Sequence, residues 1–212
     1  PDQKSISRAA EVINAGGLVA YPTETYYALG ADALCPSAVE KVYRAKGRDF
    51  HKALTILVDR RESLHTLVAQ IDPAAEKLME RFWPGPLTII FAASEKVPAL
   101  LTAGTGRVGI RVPSSIVARA LASTAGRPLT ATSANPSGRG GLTRAEDVSA
   151  VLGEKIDLIL DGGETPGGPE STIVDATVSP PALVRAGAVS RVMVEECLGL
   201  RFPTPGRRTH DS

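Results

Sequence analysis

Short apolar runs, each cut off by proline, glycine or a small polar cluster, constrain this chain more than any other feature. LVAY (18–21), ALTILV (53–58), LTIIFAA (87–93), RVGIRVP (107–113), PLTATSAN (128–135), DLILDGG (157–163), STIVDAT (171–177) and PALVRAG (181–187) are too short for core helices and suit strands. Stretches with helical spacing separate many of them. Ser7 is placed to cap a helix carrying Ala9, Ala10 and Ile13, which Gly16-Gly17 stops. Ser37 opens a second, with Val39, Val42 and Tyr43 on one face, ending at Lys46-Gly47. Asp72-Pro73 starts AAEKLMERF, and Trp83-Pro84-Gly85-Pro86 ends it. Further helices fall near Ser114 to Thr124 and Arg144 to Leu152. This alternation predicts an α/β fold with a mixed sheet.

The 212 residues, 43% hydrophobic, supply one sizeable core, so we expect a single domain over residues 1–200 and a polar, breaker-rich tail over 201–212. A formal net charge of +1 gives no global field for nucleic acid, so any polyanion site has to be a local cluster. Cys35 and Cys197 lack metal-ligand spacing and suit a reducing compartment. No apolar run approaches the roughly 18 residues of a membrane span, and no signal-peptide core is read at the start. The expected location is the cytoplasm, with no membrane partner.

Polar residues gather where the apolar runs end, the usual place for ligands in open α/β sheets. In PTET, Thr23 and Thr25 face one side if the chain stays extended; alternatively one caps a turn while Tyr26 and Tyr27 enter the core. In KGRDFHK, the cations Lys46, Arg48 and Lys52 suit a triphosphate, or merely the negative end of a helix dipole. TATSANPSGRGG offers Thr132, Ser133, Asn135 and Ser137 with glycines that let backbone approach a ligand, and is equally a good turn sequence. Ser171 and Thr172 open one strand and Arg185 ends the next, so a hairpin brings them to one rim. Arg111, between Ile110 and Val112, is either edge-exposed or buried with an anion.

In their order, AYPTETYYALGADA, KGRD, WPGPLTIIF, VGIRVPSS, TATSANPSG, STIVD and LVRAGAVS resemble the signature segments of the YrdC-like family, from about Ile13 to Val194. The resemblance implies a twisted mixed sheet with flanking helices and a concave basic cavity. It also implies L-threonylcarbamoyladenylate synthase activity, a nucleotidyltransferase reaction joining L-threonine, bicarbonate and ATP, with Mg²⁺ carried by ATP and no metal ligands from the protein. The product serves tRNA modification through downstream proteins. Matched position by position, Thr23, Thr25, Arg111, Ala131 and Ser171 fall to threonine. Lys46, Arg48, Lys52, Ser133, Asn135 and Arg185 fall to the nucleotide, with Lys46 and Arg48 as the catalytic cations.

Several positions depart from the longer members. Leu57 replaces a histidine near threonine, while Lys52, Arg107 and Gly141 replace nucleotide contacts, and Ala28 replaces a glycine. The extra C-terminal domain of those members is not read here, and a paralogous YciO-like branch shares these segments. Two other readings remain: an RNA-gripping module without adenylate chemistry, and a carbamoyl-adenylate-forming relative with another acceptor. RNA readers usually supply aromatic stacking platforms, which the cationic segments lack.

Overall fold

The computed structural model describes residues 1–203, and the remainder of the polar tail lies outside them. The first helix, α1 (Gln3–Asn14), begins ahead of the expected Ser7. Asp2 caps it, accepting the Ser5 N–H at 2.8 Å, and a carboxylate there also meets the positive end of the helix dipole. Strands β1 (Val19–Pro22) and β2 (Tyr27–Gly30) then form a hairpin. The helix α2 (Pro36–Lys46) starts with proline in its first turn and ends on Gly47, whose φ of 58° suits a residue without Cβ.

Next come β3 (Thr55–Leu57), α3 (Pro73–Phe82), β4 (Leu87–Ala92), β5 (Arg107–Arg111) and α4 (Ile116–Ala125). The run PLTATSAN divides into two short strands, β6 (Leu129–Thr130) and β7 (Thr132–Ser133). The helix α5 (Ala145–Leu152), β8 (Leu158–Ile159), β9 (Thr172–Asp175), β10 (Ala182–Arg185) and α6 (Arg191–Leu198) complete the described chain. The sequence reading missed α6, although its signals are present. Ser190 caps it by accepting the Met193 N–H, and Gly199 ends it at φ 67°. Its carboxylate Glu195 accepts from Arg191 and from the Phe202 N–H, which ties down the buried Phe202 within the expected tail.

The strands form a mixed α/β arrangement divided into two sheets. One runs β7-β2-β1-β8, the other β10-β9-β4-β5-β3-β6, each with parallel and antiparallel pairs. The division falls inside five residues. Leu129 and Thr130 pair with β3, then Thr132 and Ser133 pair with β2. Fully buried Thr130 holds this crossing: its Oγ1 accepts the Ala31 N–H at 3.0 Å and donates to the Leu29 carbonyl, while its own carbonyl accepts the Tyr21 hydroxyl.

The helices α1 and α4 pack together, and one core cluster joins Ile13, Tyr21, Leu57, Leu121 and Leu129. A larger cluster, with Leu29, Ile56, Leu78 and Ile89, fills the other side. Among the described residues no helix is long and apolar enough to cross a membrane. Thr130→Val keeps the shape but strands the Ala31 donor. We expect it to cost about 1–3 kcal/mol, read as a lower urea midpoint at unchanged m.

Candidate functional site

The ends of the apolar runs meet in one cavity of about 250 Å³, where the two sheets part. Its floor is the six-stranded sheet. Thr88 lies opposite Ile173, which in turn lies opposite Arg185, so β4, β9 and β10 present one row. Gly109 faces the same floor, and a Cβ there would sit 3.1 Å from the Thr88 methyl and 3.6 Å from Thr55 Oγ1. One wall is the hairpin tip 23–26, and another is the crossing segment 131–133.

Of the two readings of PTET, the tip takes the threonine-capped turn and not the extended chain. Thr23 donates its hydroxyl to the Tyr26 carbonyl at 2.7 Å and accepts the Thr25 N–H, a hydroxyl-capped turn. That turn, and not strand alternation, brings the Thr23 and Thr25 hydroxyls within 3.3 Å. Tyr27 is fully buried, as one reading of this stretch held, while Tyr26 lines the cavity.

Three arginines line the cavity, each with part of its guanidinium already held. Arg111 is buried with an anion, donating Nη1 to Glu24 Oε1 at 2.8 Å, so the edge-exposed alternative does not hold. Arg48 donates Nε and Nη2 to the carbonyls of Lys52 and Ala53, and burial lowers its pKa. Arg185 donates to the Ser171 carbonyl and hydroxyl and pairs with Glu170, across the anticipated hairpin. Fixed guanidinium edges lose little further entropy when an anion arrives.

Thr23, Thr25, Arg48, Arg111, Ala131, Ser133, Ser171 and Arg185 therefore share the lining, whereas Lys46, Lys52 and Asn135 stand outside it. Lys52 is exposed and contributes its carbonyl to Arg48. Lys46 is buried beneath the loop that follows β7. Its ammonium donates to the carbonyls of Ser133 and Asn135 and to Asn135 Oδ1. The Asn135 amide in turn donates to the carbonyls of Arg139 and Gly140. Both residues act here as the inner frame of the loop that carries Ser133. Among the departing positions, Leu57 is buried in the core and Arg107 pairs with Asp175 at 3.0 Å.

The sequence reading missed Thr55, Thr88 and Glu170 in the lining. The first two had a signal, a hydroxyl inside an otherwise apolar strand. Thr88 is buried and its Oγ1 lies 3.1 Å from the Ser171 hydroxyl. Glu170 sits in a loop with no periodicity to betray it. Among the described residues no group of three or more histidine, cysteine, aspartate or glutamate side chains is arranged to hold a metal ion.

Fold and cavity define an α/β protein whose hydroxyl- and arginine-lined hollow opens beside the junction of two sheets. The family model for Sua5, YciO and YrdC proteins, described as "Telomere recombination", matches residues 11–187, and the chain belongs to this family. It is 42% identical over 198 residues to a threonylcarbamoyl-AMP synthase of Pyrococcus abyssi, spanning 93% of this chain and 58% of that protein. The Bacillus subtilis protein of the same name is 38% identical, with 92% and 56% spanned. The chain thus covers a little over half the length of these two relatives. It matches the structure of P. abyssi Sua5 complexed with L-threonine at a TM-score of 0.92 over 95% of this chain and 60% of that one, at 42% identity. Escherichia coli YciO matches at 0.81 and 31% identity over 89% and 91%.

Burial, and then the charge of Arg48, pull the Lys46 pKa from 10.5 down to about 8, with Glu170 opposing. Between those values the unfolded chain holds a proton that the folded chain has released, so stability rises with pH. The unfolding free energy of the wild type relative to Lys46→Met is expected to be flat below pH 8 and to climb from there to 10.5. A denaturant series across that range checks it; a difference that stays level or falls contradicts the burial of this charge.

Proposed function

We propose that this chain is an L-threonylcarbamoyladenylate synthase, making threonylcarbamoyl-AMP and pyrophosphate from L-threonine, bicarbonate and ATP. The observation that carries the reading is the convergence of three part-tethered arginines with the Thr23-Thr25 tip, Ser133 and Ser171 around one hollow. The similarity to relatives named threonylcarbamoyl-AMP synthase, and to one solved with L-threonine, supports it. We further infer that the catalytic unit spans residues 1–200, that it works in the cytoplasm, and that its product passes to the proteins that modify tRNA.

In this reading Arg111 takes the threonine carboxylate, with Glu24 holding its far edge. The hydroxyls of Thr25 and Ser171 orient the amino acid, and the Ala131 backbone together with Ile173 borders the methyl. Threonine's neutral amine attacks the carbon of bicarbonate, forming a carbamate and releasing water. A carbamate oxygen then attacks the α-phosphorus of ATP, and the bond to pyrophosphate breaks. Both steps gain from alignment and from fixed positive charge facing the developing negative charge, which Arg48 and Arg185 supply. Lys46 and Asn135 contribute by holding the loop that presents Ser133. Mg²⁺ enters with ATP as part of the substrate, since the cavity lining carries a single carboxylate, Glu170, and not a cage of them. The hollow is smaller than the ~300–1,000 Å³ of sites enclosing whole drug-sized ligands, so the nucleoside end extends past the rim.

Pyrophosphate release from ATP and bicarbonate is expected to require threonine and to favour it over serine by about 10–200-fold, the worth of one methyl. Arg48→Ala should lower kcat roughly 10²–10³-fold, and Thr25→Val should weaken threonine use about tenfold. Turnover indifferent to the added amino acid would overturn the proposal.

A further inference from the structure

Tyr26 lines the cavity, and its side chain also touches residues outside that lining. Its carbonyl accepts both the N–H and the hydroxyl of Thr23, so its backbone is fixed in the hairpin tip. From there the ring lies flat against Gly141. A Cβ added at 141 would sit 2.5, 2.6 and 2.8 Å from ring atoms Cγ, Cδ1 and Cδ2, closer than real Cβ contacts come. The backbone itself does not ask for glycine there. Gly141 has no left-handed φ, unlike Gly138 at 86° in the same loop.

The far end of the ring reaches a different loop. Its hydroxyl donates to the Gly168 carbonyl at 2.5 Å, and the neighbouring Gly167 N–H donates to the Thr25 carbonyl at 2.7 Å. Gly167 and Gly168 adopt φ 69° and 89°, so this strap, residues 162–170, takes a path that other residues resist. One side chain therefore touches both glycine-rich loops, which also meet directly where the Thr165 N–H donates to the Thr143 carbonyl at 2.9 Å. The first descends from Ser133, and its two ends are fixed on Tyr27, where Ala134 N–H donates to the Tyr27 carbonyl and Tyr27 N–H to the Leu142 carbonyl. The second leads directly into Glu170 and Ser171, which line the cavity and meet Arg185.

We propose that Tyr26 is a positioning residue, a latch that holds these two loops in the arrangement that binds the nucleotide, and that residue 141 is glycine to admit its ring. The nucleotide half of this inference rests on the function proposed above; the mechanical half does not.

The test uses Tyr26→Phe, Tyr26→Ala, Gly141→Ala and the double variant Tyr26→Ala/Gly141→Ala in the full chain. Two readouts are needed: amide hydrogen exchange at Gly167, and the KM for ATP against kcat and against the KM for threonine. Tyr26→Phe, which keeps the ring and loses the hydroxyl, is expected to speed Gly167 exchange about fivefold, and Tyr26→Ala more. Gly141→Ala should raise the KM for ATP about tenfold in the wild-type background and add almost nothing in Tyr26→Ala, because every ring atom of the clash is gone. An equal effect of Gly141→Ala in both backgrounds would show that the ring is not the reason for glycine and would overturn the proposal. Unchanged Gly167 exchange in Tyr26→Ala would do the same. Faster exchange with an unaltered KM for ATP would reduce Tyr26 to a structural prop and remove the positioning role. A wild type without threonine-dependent turnover sinks the synthase reading, while the exchange rates and the double-variant comparison by thermal midpoint still decide for or against the latch.

Discussion

Thr130 is the point on which the two sheets and the cavity between them depend. Its N–H, carbonyl and hydroxyl are all engaged, with partners on the β1-β2 hairpin and just beyond it, while its strand pairs with β3 on the other side. A buried threonine without those partners would cost several kcal/mol, which favours the crossing from one sheet to the other at this register. The next residue, Ala131, donates its N–H to the Thr55 carbonyl at 2.8 Å and faces the hollow. The site is therefore a by-product of the crossing: where strands stop pairing with one sheet and start with the other, a gap opens and side chains from both sides look into it.

Three cations around one small hollow repel one another, and the fold offsets this with groups that also aim them. Arg111 has the most buried arrangement, with the Glu24 carboxylate behind it. One oxygen of that carboxylate, Oε2, is buried with no hydrogen-bond partner among the described residues, so the charge of Glu24 is answered there by Arg111 alone. Arg48 relies on two backbone carbonyls and Arg185 on Ser171 and Glu170. The half-exposed Arg185–Glu170 pair is worth little in solvent, and an incoming anion competes with Glu170 for it at small cost. The buried Arg111 pair is the one whose loss would leave an uncompensated charge.

Much of this was legible in the sequence because it depended on period and punctuation. The apolar runs fell where strands form, and proline and glycine marked their ends. The hairpin of β9 and β10, which sets Ser171 beside Arg185, followed from two runs and their polar ends. What could not be read was the part decided by distant partners. Nothing local makes Asp2 outcompete Ser7 as a cap, or divides PLTATSAN between two sheets. Lys46 and Arg48 look alike as neighbouring cations, yet the first turns inward to three loop oxygens and the second lines the cavity. Gly141 looks like a flexible loop residue until the Tyr26 ring is seen lying against it.

The most direct test is an amide chemical-shift map of the protein titrated with L-threonine and a non-hydrolysable ATP analogue. The account predicts that the largest changes cluster at Thr25 and Tyr26, at Ala131 to Ser133 and at Glu170 to Ile173, segments far apart in sequence that border one cavity. Changes concentrated instead at the separate hollow lined by Asp59, Arg60 and Arg127 would contradict it, as would changes scattered without a common surface.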